Sequence, residues 1–125
     1  ANPVVAHASA PGRRGDRHDV VMDALRHLPQ GERAAARLEA AAAAGQAWLA
    51  RQGQAYGFRP VGAAGVDGYQ RIRIPRDAGG SILFSQLEIE GVLEVTDPAR
   101  FLGQLALGFG RARAFGCGLM LIRRA

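Results

Sequence analysis

The sequence predicts an α+β domain, and three observations predict it. Apolar residues recur at helical spacing as far as Tyr56, the period drops to two from Phe58, and Asp97-Pro98 then opens another helix. The 125 residues amount to one domain, and 48% hydrophobic with 22% charged residues is ordinary for a globular protein with a modest core.

Taken in order, Ala6–Asp16 (AHASAPGRRGD) mixes small residues, Pro, Gly and two arginines, so 6–16 is expected to be a mobile loop. Asp16 or Asp19 could cap a short helix from Asp19 to Leu28, with Val20, Val21, Ala24, Leu25 and Leu28 at helical spacing, stopped by Pro29. A longer helix is expected from about Gly31 to Tyr56. Its apolar face is Leu38, Ala41, Ala42, Trp48, Leu49 and Tyr56, with Arg33, Arg37, Glu39 and Arg51 mostly off it. Gly45 weakens its middle by roughly 1 kcal/mol, and Gly53 and Gly57 point to an end within Gln52–Gly57.

Beyond Phe58, Tyr69, Ile72 and Ile74 interleave with Gln70, Arg71 and Arg73, a strand with one polar face. The turn-rich Pro75–Gly80 (PRDAGG) joins it to a long strand, Ser81–Thr96, in a β-hairpin, with Gly91 a candidate bulge. The helix after Asp97-Pro98 is expected to turn Phe101, Leu102, Leu105 and Leu107 inward before Gly108, and a last apolar strand is expected over Cys117–Ile122. Helix, strand, strand, helix, strand makes five of the six elements of a β-α-β-β-α-β, ferredoxin-like (RRM-like) unit, an antiparallel sheet with its helical layers on one face. The first strand is largely missing, since only Val4-Val5 could supply it. An open central position exposes unpaired backbone groups, so self-association through the open sheet is expected.

The charge balance is 16 basic against 11 acidic residues, and every basic residue is arginine. Coding bias in a GC-rich genome accounts for this; so does a need for arginine's planar fork at phosphates and base edges. The lone Cys117 excludes an intramolecular disulfide framework and a Cys-rich zinc site. No apolar run approaches a membrane span and no signal segment opens the chain, so a cytoplasmic protein without membrane contact is expected. His7, His18 and His27 are not paired at metal-ligand spacing, and no metal or cofactor is expected.

The run from Gly108 to Gly118 (GFGRARAFGCG) spaces its glycines as G-h-G-x5-G-h-G, with h apolar. Gly108, Gly110, Gly116 and Gly118 would let the backbone turn sharply and approach a ligand, presenting Arg111 and Arg113 on an arch suited to a phosphodiester backbone. The plain structural alternative is that Gly108 and Gly110 end a helix while Gly116 and Gly118 ease packing. A dinucleotide fingerprint would need glycine at Arg113, and a P-loop would need a lysine that the chain lacks.

GFGRARAFGCGLMLI resembles the C-terminal glycine-rich motif of the CasE family, the type I-E CRISPR endoribonucleases. The opening ANPVV, AWLARQGQAYGF (Ala47–Phe58) and LEIEGVLEVTDPARF (Leu87–Phe101) fit the same family. The resemblance implies two tandem ferredoxin-like domains that cut the CRISPR repeat transcript beside its stem-loop without a metal. The product hairpin, the crRNA, is then usually retained in the Cascade surveillance complex with its other subunits. The catalytic histidine of the family belongs to the N-terminal domain, so this chain, corresponding to the C-terminal one, is expected to carry no catalytic residue and not to cleave alone. The implied RNA contacts are Arg111 and Arg113 in the glycine arch, then Arg71, Arg73 and Arg76 on the hairpin. His18 and Arg17 are further possible contacts, His18 lying amid Arg13, Arg14 and Arg17. Relatives often carry basic residues where Ile74 and Pro75 stand here. Two other functions stay open: a naturally short, non-catalytic RNA-binding or Cascade-interaction module, and a generic ferredoxin-like domain that dimerises or binds a small ligand.

Overall fold

The computed structural model describes residues 4–6 and 17–125. Apart from Ala6, the loop expected over 6–16 lies outside them, and so do His7, Arg13 and Arg14. The elements are β1 (Val4–Ala6), β2 (Arg17–Asp19), α1 (Val20–Leu25), α2 (Gln30–Tyr56), β3 (Phe58–Pro75), β4 (Ser81–Val95) and α3 (Pro98–Leu107), with a single 3-10 turn at Arg113–Phe115. Among the described residues these strands form two separate antiparallel pairs, β1 with β2 and β3 with β4.

This corrects the predicted sheet at both ends. Val4–Ala6 is a strand, but it pairs with β2, Val5 lying opposite His18, and not with the hairpin. Asp19 ends β2 and directly precedes α1, which stops at Leu25, and the Leu28 amide closes a turn onto the Leu25 carbonyl at 3.0 Å. Cys117–Ile122 is not a strand either. Its residues have strand character, but a strand exists only where a neighbour pairs its backbone.

Helix α2 runs close to its predicted length because its two internal glycines are where the hairpin comes nearest. A Cβ at Gly45 would lie 2.8 Å from a Val66 methyl, and one at Gly53 would collide with the Phe58 carbonyl. Ala41, Gly45, Trp48, Leu49 and Gly53 form its buried stripe. Leu38, predicted inward, is 78% exposed. The N-terminal half of α2 is instead covered through Ala36, Ala40 and Ala44, which pack on the Val21, Leu25, Ala41 and Leu87 cluster from another side of the helix.

The second cluster joins Trp48, Leu49, Phe58, Phe101 and Phe109. Phe58 meets Phe101 and Phe109 edge-on, with centroids 5.7 and 5.8 Å apart. Each buried aromatic contributes roughly 1.5–3 kcal/mol by burial alone. Asp97 caps α3 as expected: its carboxylate accepts from the Arg100 amide at 3.1 Å, with Pro98 at the first helical position. The Gly57 carbonyl accepts from both the Thr96 and Asp97 amides, at 2.8 and 3.0 Å, tying the end of α2 to the start of α3.

The hairpin pairs Phe58 with Val95 at its base and Pro75 with Ser81 at its tip, and its register shifts twice, between Val61/Gly65 and Asp67/Gln70. Both shifts place extra residues on β3. The bulge expected at Gly91 thus lies across from it, and a Cβ on Gly91 would press on Ala64 at 3.1 Å. Gln46 of α2 secures the first shift, its amide donating to the Ala64 carbonyl and accepting from the Ala64 amide. The second shift exchanges the strand's faces. Before it Val66 packs towards the helices; after it Tyr69 does, and Arg71 and Arg73 follow Tyr69 by alternation. Tyr69 therefore shares its face with Arg71 and Arg73 and not with Ile72 and Ile74, the apolar residues with which it was grouped.

Replacing Gln46 by alanine leaves both Ala64 backbone groups without their side-chain partner. A loss of about 1–3 kcal/mol is expected in denaturant unfolding, with faster amide exchange at Ala64 than elsewhere in the hairpin.

Candidate nucleic-acid interface

The glycine-rich segment folds into an arch closed at its base. Gly108 ends α3 with φ 79°, its carbonyl receiving the Gln104 side-chain amide. The Phe109 amide then donates to the Gly118 carbonyl at 2.9 Å. A Cβ at Gly118 (φ 83°) would sit on the Phe109 carbonyl oxygen, so no other residue fits without moving the backbone. Gly110 lies against Trp48, where a Cβ would come within 3.0 Å of the indole. Between these anchors Ala112 is left-handed (φ 55°), and amide bonds from Phe115 and Cys117 to the Ala112 carbonyl and from Gly116 to the Arg113 carbonyl shape the crown. Cys117 is buried beneath it.

The two arch arginines differ. Arg111 is exposed, with no side-chain hydrogen bond or ion pair among the described residues. Arg113 folds back, its Nη1 donating to the Leu107 carbonyl at 3.0 Å and its stem passing Gly108. A guanidinium on the last carbonyls of a helix satisfies an orphan acceptor and complements the helix dipole. Both structural roles weighed for these glycines are thus present, a helix stop and close packing, alongside one outward arginine.

On the hairpin, Arg71 and Arg73 share a face with Ser85 and Leu83, their cross-strand partners. Ile72 and Ile74 project from the other face with Phe84 and Ile82. Arg76 opens the turn, where its amide meets the Gly80 carbonyl at 3.1 Å. All three arginines are exposed and unpaired among the described residues. The arch meets the hairpin at its base through Phe109 against Phe58 and, beyond that, through the Phe115 ring, which stacks on Phe84 with centroids 5.1 Å apart and planes 21° apart. Since Phe84 and Arg71 lie on opposite faces, Arg71 and Arg73 sit behind the strand surface that Phe115 touches.

The remaining predicted groups do not join this constellation. His18 and Arg17 are backbone-paired in the small β1–β2 sheet, opposite Val5 and Ala6. His27 follows α1, exposed, its Nε2 accepting from Arg26 at 3.2 Å. Among the described residues no three His, Cys, Asp or Glu side chains group as metal ligands, and no helix is long and apolar enough to cross a membrane.

Two features were not anticipated. One is the Phe84–Phe115 stack. The other is an acidic row in mid-hairpin, where Asp67 lies directly opposite Glu88 and Glu90 follows on the same face. The period-two run LEIEGVLEV carries that signal, and among the described residues its Glu94 is the one paired with a cation, Arg59.

Comparison with known proteins places these features in context. The sequence model of a family described as CRISPR associated protein matches residues 1–124. No curated protein matches the sequence. A solved structure, that of CRISPR endoribonuclease Cse3 bound to 19 nt RNA, is similar with a TM-score of 0.62 and 24% identity. The similarity covers 94% of this chain and 49% of that one, so the chain spans about half the length of the protein it resembles.

The two arch arginines can be told apart by stability. Arg113→Ala is expected to cost about 1 kcal/mol in denaturant unfolding through its lost helix-end bond, and Arg111→Ala to stay within about 0.5 kcal/mol of the parent. Gly118→Ala should exceed both.

Proposed function

The chain belongs to the CRISPR-associated protein family, and from that premise we propose that it is the RNA-holding half of a repeat-RNA endoribonuclease. In this reading it binds the stem-loop of the CRISPR repeat and keeps the mature crRNA in Cascade, as a ferredoxin-like C-terminal domain of the CasE type. The observation that carries it is a set of exposed guanidinium groups, unpaired among the described residues: Arg111 on the arch with Arg71, Arg73 and Arg76 on the hairpin arm. A-form RNA is recognised by shape and backbone more than by base edges, and cations on two projecting elements suit that mode. Arg113 contributes by fixing the arch that presents Arg111. Cutting is assigned to the half of the related enzyme that this chain does not cover, with no catalytic residue here and no metal or cofactor. A cytoplasmic setting follows from the same reading.

A protein-contact role has its own support. Leu119, Leu121 and Ile122 are exposed in an unpaired C-terminal segment, and among the described residues each strand of the hairpin has one edge unpaired. Such groups suit another Cascade subunit, the other half of the enzyme, or a second copy.

The test is a titration of a repeat hairpin at several salt concentrations. The parent chain should bind with a steep salt dependence, and the Arg71, Arg73 and Arg111 triple alanine variant should lose affinity and about two to three in log–log slope. An unchanged slope would sink the assignment of these arginines. Repeat RNA incubated with the chain should stay intact while a full-length relative cuts it; specific cleavage by the chain would show that it holds its own catalytic groups. Light scattering addresses self-association, which a strict monomer excludes.

A further inference from the structure

We infer that Phe115 is a stacking platform for one unpaired nucleobase next to the RNA stem, a site that rests on the RNA-binding reading and deepens it. Phe115 is 43% exposed and belongs to neither core cluster, although it sits on a tightly hydrogen-bonded crown. Phe84 covers one face of its ring, in near-parallel stacking. A flat ring covered on one side and exposed to this extent has its second face available to another π system. Its backbone is fixed by the bonds from Phe115 to Ala112 and from Gly116 to Arg113, so little ordering remains to be done on binding.

The surroundings select the occupant. From Pro98 to Ala125 the chain holds Arg100, Arg111, Arg113, Arg123 and Arg124 and no acidic residue. Arg111 stands on the same arch as the ring, free to meet the phosphate of a nucleotide whose base lies on Phe115. On the hairpin face that carries Phe84, Asp67, Glu88 and Glu90 lie farther along, so a phosphate chain is held on the arch side while its base turns inward. Exposed rings beside cations are the general means by which proteins hold single-stranded nucleic acid, because every base offers a π face. A duplex offers none until a base leaves the stack, so this site reads the unpaired flank and not the stem.

Anisotropy titrations of the 125-residue chain with a blunt hairpin RNA and the same hairpin carrying a short single-stranded flank test this. Phe115→Leu keeps an apolar group on Phe84 but removes the π face; Phe115→Trp keeps it. Phe115→Leu should bind the flanked hairpin about tenfold more weakly and the blunt hairpin like the parent, with Phe115→Trp restoring the difference. A 2-aminopurine in the flank should be quenched by the parent and by Phe115→Trp, not by Phe115→Leu. Equal affinities of Phe115→Leu and parent for the flanked RNA, with unchanged quenching, overturn the site. An equal loss on both RNAs also overturns it, assigning Phe115 to bracing the arch. If the parent binds neither hairpin, the RNA reading itself fails, an outcome distinct from these.

Discussion

The carbonyl of Gly57 is the knot of this structure. Two amides, from Thr96 and Asp97, converge on it, and with that pair of bonds the end of α2, the base of the hairpin and the start of α3 meet at one point. Gly57 itself must be glycine there, since its φ is 77° and a Cβ would strike Asp97 at 2.6 Å. Everything that faces the candidate partner is carried outward from this junction. The hairpin leaves it as a two-stranded arm, and α3 leaves it to carry the arch. Phe58 and Phe101, close in sequence to the knot, then bury Phe109, so the arch is registered to the same core.

The glycine-rich run divides its labour. Its outer glycines and Phe109 are spent on closure against α3 and Trp48, and Arg113 on the helix end. Arg111 is left exposed, and the ring of Phe115, stacked on Phe84, keeps 43% of its surface exposed. A motif that looks uniformly ligand-directed is mostly scaffold, and the scaffold's hydrogen bonds hold the backbone around the two remaining groups.

How much of this was legible in the sequence differs by element. The α3 start was fully legible, because Asp97-Pro98 is a local signal whose chemistry needs nothing distant. Helix α2 was legible in extent and, through Ala41, Trp48 and Leu49, in most of its face; Leu38 has the right spacing yet stays exposed, because spacing does not say how far along the helix its neighbours reach. The last strand was misread for a related reason. Apolar alternation states that a segment can pair, not that a neighbour is present. Arg71, Arg73, Arg76 and Arg111 are exposed, as most arginines are, whereas the Arg113 bond to Leu107 depends on a turn geometry no spacing rule encodes. The Phe84–Phe115 stack joins segments remote in sequence and had no local signal at all.

The extra residue beside Tyr69 has a consequence for how such chains diverge. It acts as a phase shifter: upstream and downstream of it, the same parity of residue number means opposite faces. The arginines of the arm are aimed by this one-residue offset as much as by their own positions. Removing a single codon there would exchange Arg71 and Arg73 for Ile72 and Ile74 on the helix side without altering any of the four. Among relatives, equivalent cations on this arm are therefore to be matched by counting from the bulge and not from the turn.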